Sequence, residues 1–252
     1  MNKAILGNKQ EIIYTKQLNQ KDKFLNEINF DKDTSYAIHI IEKKYGKINE
    51  AKIHPKADII LARGYVPVDY LEKNDFYLNE DDIKKLNLIP INNSGISIKL
   101  PNSKYTITKI SPNTFIKIFI NNLLGAGASI YCNKEKDFDK NINVLNGWNI
   151  NESDFYNYFN GNIENLNLNT LNNKNKLVEI KTFSNRKIGE LTLNSKKISD
   201  LIFKGIGNFE EPYTAHYLIE NDEIKENYYI PFIITTGSGR SKGVFTIVFK
   251  PQ

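Results

Sequence analysis

Two short apolar runs, PKADIILA at residues 55–62 and GISIKL at residues 95–100, decide how the first half of the chain folds. Each run is rich in aliphatic residues and is bounded by Gly, Pro or polar residues, which is typical of a buried strand. The first run carries an acid, Asp58, before its apolar part, and the second has a base, Lys99, near its end. If the two strands pair, a carboxylate and an ammonium group meet at one place on a sheet.

A helix and a long connection surround these two strands. Residues 3–28 carry apolar side chains at intervals near 3.6 residues, which predicts a helix. Residues 63–94 form an excursion between the strands and contain an acidic-capped helix that begins after Asn79. Residues 105–110 alternate apolar and polar side chains, and the Ser-Pro pair at residues 111–112 predicts the start of another helix.

The second half of the chain has weaker patterns. Residues 136–176 are rich in Asn, and we interpret them as an insertion or a helical lobe. The apolar runs at residues 129–132 and 177–181 predict strands. Residues 228–234 and 243–249 predict a hairpin.

Strands and helices are mixed along the chain, which predicts an α/β or α+β fold with a mixed central β-sheet flanked by helices. We expect a core at residues 1–135, the Asn-rich part at residues 136–176, and a β-rich part at residues 177–252 that packs on the core. The helix expected at residues 113–124 should end at the glycines of residues 125–128.

The composition indicates an ordinary globular chain. It has 252 residues, of which 40% are hydrophobic and 25% charged, and its net charge of +5 is compatible with a polyanionic partner. No apolar run reaches membrane-spanning length, so we expect a cytoplasmic protein without a membrane partner. Cys132 is the single cysteine, which excludes an intrachain disulfide and a Cys-rich zinc site.

A carboxylate beside an ammonium group is the smallest set of residues for metal-assisted phosphodiester hydrolysis, in which the acid holds Mg²⁺ and the lysine helps to position a water. The pattern Pro-x-x-Asp before one strand, followed by x-Ile-Lys on a later strand, resembles the PD-(D/E)xK nuclease superfamily and, within it, type II restriction endonucleases. The resemblance covers residues 7–124. It implies that Asp58 binds Mg²⁺, that the backbone carbonyl of Ile98 adds a ligand, and that Lys99 serves the attacking water and the scissile phosphate.

The chain departs from the family pattern at Ser97, where the family usually has Asp or Glu. We keep Ser97 as a candidate catalytic residue, but a hydroxyl is a poor Mg²⁺ ligand, so another carboxylate must replace the missing acid. Glu11 on the first helix is the first candidate, as a catalytic residue and metal ligand, and Glu50 is the second. Lys181 is a rival catalytic lysine, although no acid that follows a Pro or starts a convincing strand accompanies it.

Two further segments carry polar and basic residues that suit contacts with a DNA backbone. By the resemblance, the segment after Lys99 approaches the DNA. The Gly-rich loop at residues 237–243 permits close approach of backbone amides to phosphate, and its arginine can read a guanine edge. The structural alternatives are a polar turn and a flexible hairpin tip. The expected DNA-binding residues are Asn102, Lys104, Lys109, Ser238, Arg240 and Lys242.

Together these features predict a Mg²⁺-dependent, sequence-specific endonuclease that cuts double-stranded DNA and works beside a companion DNA methyltransferase. A homodimer with two-fold symmetry would match a palindromic target. The alternative is a catalytically degenerate DNA-binding or accessory protein, which Ser97 favours. A third hypothesis is an α/β binding protein in which Asp58 and Lys99 form only an ion pair, and it predicts no salt-dependent affinity for DNA.

Overall fold

The computed structural model describes residues 3–20, 28, 30–31, 33–40, 47–48, 51–52, 55–100, 105–132, 138–167, 169–236 and 246–252. Several residues to which the sequence assigned a role lie outside the described residues, and their roles stay predictions. They are Glu50, Asn102, Lys104, Ser238, Arg240 and Lys242.

Helices and strands are mixed along the described residues. The helices are α1 (Lys3–Asn19), α2 (Val68–Lys73), α3 (Glu80–Lys85), α4 (Pro112–Phe119), α5 (Asn122–Cys132), α6 (Phe138–Gly147), α7 (Glu152–Asn160), α8 (Lys174–Leu193) and α9 (Lys196–Ser199). The strands are β1 (Ser35–His39), β2 (Lys47–Ile48), β3 (Ala51–Lys52), β4 (Ile59–Arg63), β5 (Ile89–Pro90), β6 (Ile96–Lys99), β7 (Thr108–Ile110), β8 (Tyr217–Glu220), β9 (Glu223–Lys225), β10 (Phe232–Thr236) and β11 (Ile247–Pro251). None of these helices combines the length and the apolarity that crossing a membrane requires.

The chain forms two compact units, and each is built from two separate segments. The first unit contains Met1–Ser103 and Phe203–Tyr229, and the second contains Lys104–Ile202 and Ile230–Gln252. This division differs from the boundaries near residues 135 and 176 that the sequence indicated. The reason is that β10 packs against α5 and α8, and β11 pairs with both β10 and β7, so the second unit is complete only when both of its segments are present.

The first unit contains a mixed sheet, as the sequence predicted. Within the described residues its strand order is β1-β4-β6-β8-β9, and β5 pairs with β4 beside this path. β1 and β4 are antiparallel, and β4 meets β6 in antiparallel fashion through Ile59 opposite Ile96. β6 and β8 are parallel, with Lys99 opposite Glu220. The expected α/β class with helices flanking a mixed sheet is therefore confirmed.

The helix α1 covers one face of this sheet. Successive side chains of a strand point to opposite faces, and Ile59, Ile96 and Ile219 lie on the face that packs against Tyr14 and Leu18 of α1. All five side chains are almost fully buried. α1 accounts for the first part of the helix that the sequence predicts over residues 3–28.

The excursion at residues 63–94 covers the opposite face. Ile38 and Ile60 point to this side and pack in one cluster with Leu71 of α2 and Ile83 of α3. The excursion therefore forms a second layer of the first unit. Because residues 63–94 pack against the sheet, β4 and β6 can be neighbours although this long segment connects them.

Helix starts follow the predicted capping residues. The side chain of Asn79 accepts the backbone N–H of Asp82 at 2.8 Å, and the Asp82 carboxylate accepts the N–H of Asn79 at 3.2 Å. This reciprocal capping box satisfies two N–H groups at the start of α3. Ser111 accepts the N–H of Thr114 at 3.1 Å and starts α4. Both predicted helix starts are confirmed.

Two strand predictions in the second unit are wrong. Residues 129–132 lie in α5, and residues 177–181 lie in the 20-residue helix α8. In α8 the buried positions include Leu177, Ile180 and Ser184, which are three and four residues apart and form one helical face. A window of five residues was too short to distinguish this period from strand alternation.

The prediction that residues 125–128 end a helix is also wrong. α4 ends at Phe119, where Ile120 adopts a left-handed conformation with φ of 54°. The glycines lie inside α5 instead. A Cβ atom on Gly127 would lie 2.5 Å from Phe159 Cζ and 2.6 Å from Ser184 Oγ. Glycine at this position lets α5 approach α7 and α8 closely.

The C-terminal hairpin is confirmed. β10 and β11 pair in antiparallel fashion, and β7 adds a third strand on the other side of β11. Ile234, Ile247 and Phe249 are completely buried. Lys109 in β7 is exposed, as a DNA contact requires.

Candidate functional site

Asp58 is held in place by strand hydrogen bonds on both sides. It precedes β4, and its backbone N–H donates to the carbonyl of Ile96 at 2.8 Å. Its own carbonyl accepts the N–H of Ile40 at 2.9 Å. The acid therefore sits between the ends of β1 and β6, with its backbone fixed by the sheet.

The Asp58 carboxylate meets the segment that carries Lys99. Asp58 Oδ2 accepts the backbone N–H of Ile98 at 2.7 Å and the hydroxyl of Ser97 at 3.1 Å. Lys99 Nζ lies 3.8 Å from the same oxygen. The expected meeting of the acid and the lysine is thus confirmed, while their chemical roles stay predictions. Both side chains keep between a fifth and a third of their surface exposed, so a ligand can reach them.

Ser97 and Ile98 both donate hydrogen bonds to the carboxylate of Asp58. Ser97 is only 3% exposed and donates its hydroxyl hydrogen to the carboxylate, so its side chain orients Asp58. Ile98 contacts Asp58 through its N–H. The predicted metal-binding role of the Ile98 carbonyl stays a prediction.

Lys56 is a member of this site that the sequence reasoning missed. The charges of both Asp58 and Lys99 act on the pKa of its ammonium group. Burial, followed by repulsion from Lys99, lowers the pKa of Lys56 to about 7, while the charge of Asp58 acts in the opposite direction. The sequence feature that could have identified Lys56 is its position two residues before Asp58, because the charge of a lysine so close to a predicted metal ligand acts on that ligand.

Glu11 pairs with a histidine of β1. Its Oε2 is 2.8 Å from Nε2 of His39, whose ring is fully buried. This contact engages the first candidate for the missing carboxylate, and the role of Glu11 as a metal ligand stays a prediction.

Glu220 is the acid that strand register places beside Lys99. The two residues are partners in the parallel β6–β8 pair, so their side chains leave the same face of the sheet. Glu220 is partly exposed and forms an ion pair with Lys225 at 3.4 Å. Because Lys99 and Glu220 are 121 positions apart in the chain, nothing in the sequence pattern pointed to this neighbour.

The donor set fits Mg²⁺ only with help from a substrate. The described part of the chain holds no group of three or more His, Cys, Asp or Glu side chains suited to a metal. Mg²⁺ is often held by one or two carboxylates together with substrate phosphates and waters. Asp58 supplies one such carboxylate, and the hydrogen bonds from Ser97 and Ile98 reach its Oδ2. Asp58 can therefore hold Mg²⁺ where phosphate oxygens complete its ligands.

The other described candidates, Lys109 and Lys181, belong to the second unit. Lys181, the rival lysine, follows Glu179 by two residues on α8, and residues two apart on a helix do not share a face. Lys181 Nζ lies 4.1 Å from the ring centroid of Tyr131, which gives this lysine a structural contact.

No protein-family model and no curated protein sequence matches this chain. The functional assignment consequently depends on the residues of the site and on their geometry.

Proposed function

We propose that the chain is a Mg²⁺-dependent, sequence-specific endonuclease that hydrolyses phosphodiester bonds of double-stranded DNA, in the manner of a type II restriction enzyme. The observation that supports this best is the contact between Asp58 and Lys99, which are separated by 41 positions and meet across paired strands at 3.8 Å. The resemblance to the PD-(D/E)xK nucleases depends on these same two residues.

Each residue has a distinct role in the proposed reaction. Asp58 holds Mg²⁺, and Ser97 and the N–H of Ile98 keep its carboxylate oriented. Lys99 directs its ammonium group toward the attacking water and the scissile phosphate. Bound Mg²⁺ would neutralise phosphate charge and favour deprotonation of the water.

The proposal includes a homodimer and a companion DNA methyltransferase. Cutting both strands of a palindromic site requires two active sites related by a two-fold axis. Light scattering of the purified protein on target DNA would show whether two chains bind one duplex. A methyltransferase gene beside the coding sequence would support a restriction system.

The central test is the variant Lys99→Ala. We expect cleavage of plasmid or phage DNA with Mg²⁺ to fall by about 100-fold or more, because the group that serves the water is lost. DNA affinity measured in Ca²⁺ should fall by about tenfold at most, since one phosphate contact is a small part of a DNA interface. Lys85→Ala, on the exposed side of α3, is the matched control and should cut normally. Cleavage by Lys99→Ala at the wild-type rate would disprove the assignment.

A catalytically degenerate DNA-binding protein is the second candidate, and Ser97 is the observation that favours it. With Ser97 at the position of the usual acid and Glu11 paired with His39, Asp58 has fewer carboxylate partners than the family pattern provides. This candidate predicts DNA binding without cleavage in either Mg²⁺ or Mn²⁺, and calorimetry would show negligible metal binding. If Asp58 and Lys99 form only a structural ion pair, salt-dependent DNA affinity would be absent as well.

A further inference from the structure

The three-stranded sheet of the second unit packs against helices through one of its faces. β11 lies between β10 and β7, and its Phe249 stacks with Phe119 of α4 at 6.4 Å between the ring centroids. Ile234 of β10 and Ile110 of β7 lie on the same face as Phe249, and both are buried. An antiparallel sheet commonly packs one face on the core and turns the other toward solvent. The face opposite Phe249 is therefore the one that can carry exposed side chains.

Two exposed lysines share that opposite face. Lys109 of β7 is the strand partner of Val248, and Lys250 follows Val248 by two residues on β11. Direct strand partners, and residues two apart along one strand, point to the same side of a sheet. Both lysines therefore leave the sheet on the side away from Phe249, and both are exposed.

The charged groups that these strands present have one sign. None of the residues in β7, β10 and β11 is an Asp or a Glu, so no acid of the sheet neutralises the two ammonium groups. Diagonal neighbours on paired antiparallel strands lie about 7–8 Å apart. Phosphates of one DNA strand follow one another every ~3.4 Å along the helix axis, so two lysines at this spacing can each contact a different phosphate.

We propose that Lys109 and Lys250 act as a pair that binds the phosphate backbone of double-stranded DNA on this face of the sheet. The inference depends on the proposed function and deepens it, because it assigns part of the DNA contact to the second unit. The sequence indicated Lys109 alone, and the strand register adds Lys250. Contacts of this kind supply affinity and position the duplex without reading its sequence.

The test measures DNA binding without catalysis. A short duplex of mixed sequence is titrated in EDTA over a series of salt concentrations with wild type, Lys109→Gln, Lys250→Gln and the double variant. Glutamine removes the charge at an exposed position, so each variant should keep a melting temperature close to that of the wild type. Lys187→Gln is the control, because Lys187 Nζ already pairs with Glu190 at 3.0 Å in the same unit.

We expect each single substitution to reduce the slope of log affinity against log salt by about 0.9, the value for one phosphate contact, and the double substitution to reduce it by about twice as much. Lys187→Gln should keep the wild-type slope. A double variant with arginine at both positions keeps the charges and should keep the slope as well. A wild-type slope in the double glutamine variant would overturn the proposal. So would a double variant with the slope of a single variant, because the two lysines would then not contact separate phosphates.

The readout separates this inference from the endonuclease assignment. If the wild-type protein binds the duplex in EDTA but never cleaves DNA with Mg²⁺, the endonuclease proposal fails, while a reduced slope in the double variant still supports the lysine pair. If the wild type cleaves DNA and the double variant keeps the wild-type slope, only the inference about Lys109 and Lys250 fails.

Discussion

At the scale of single residues, Asp58 depends on its neighbours for its orientation. One of its oxygens accepts a buried hydroxyl, accepts a backbone N–H and faces an ammonium group. Ser97 occupies the position where the family usually has an acid, and in this chain it serves the remaining acid. The departure that weakened the family resemblance thus has a visible structural consequence.

Ser97→Ala tests that dependence. Loss of the hydrogen bond to Asp58 from a buried position should lower the free energy of unfolding by about 1 kcal/mol, measured by urea denaturation. It should also slow cleavage, because the carboxylate loses part of its orientation. In an Asp58→Ala background the same substitution should have a smaller effect on stability. Equal effects in both backgrounds would show that the two side chains are not coupled.

The environment of Glu211 predicts how the stability of the protein depends on pH. Burial acts to raise the pKa of Glu211, but hydrogen bonds from Thr214, from the N–H of Asn93 and from His216 outweigh it and leave the pKa below its usual value of 4.5. A carboxyl group with a lowered pKa in the folded state stabilises the protein above its usual pKa, and this contribution is lost as the pH falls through the lowered value.

Glu211→Gln should therefore lower the melting temperature at neutral pH and flatten its decline below about pH 4.5. Melting curves recorded from neutral to acidic pH provide the measurement. Glu223→Gln is the control, because this side chain is 70% exposed. It should leave the decline of the melting temperature at acidic pH unchanged. If the melting temperature of Glu211→Gln fell below about pH 4.5 as steeply as that of the wild type, the assigned hydrogen bonds would be contradicted.

At the scale of elements, two glycines in helices of the second unit should respond in opposite ways to alanine. Gly127→Ala in α5 would place a Cβ against Phe159 and Ser184, and we expect a loss of about 1–3 kcal/mol in the free energy of unfolding. At Gly189 in α8 an added Cβ meets nothing within 4 Å, so Gly189→Ala should gain about 0.5–1 kcal/mol from helix propensity. Equal effects at the two sites in denaturant titrations would refute the close packing of α5.

At the scale of the whole molecule, the discontinuous second unit predicts the effect of a truncation. Deleting residues 230–252 removes β10 and β11, and with them the buried side chains of Ile234, Ile247 and Phe249. Each such side chain contributes about 1.5–3 kcal/mol on burial. Limited proteolysis should then cut within residues 104–202, while both segments of the first unit remain present and stay protected. Protection of residues 104–202 in the truncated chain would show that α4 to α9 fold without the hairpin.

Local signals in the sequence determined the mixed α/β class, the pairing strands at Asp58 and Lys99, the capped starts of α3 and α4, and the C-terminal hairpin. These features are encoded by apolar periodicity and by capping side chains, which act within a few residues. Only the tertiary structure decided that Glu11 pairs with His39 and that Glu220 lies beside Lys99. It also showed that Lys56 interacts with both Asp58 and Lys99. Each of these depends on strand register or helix packing between segments that are distant along the chain, and a local pattern carries no information about such pairings.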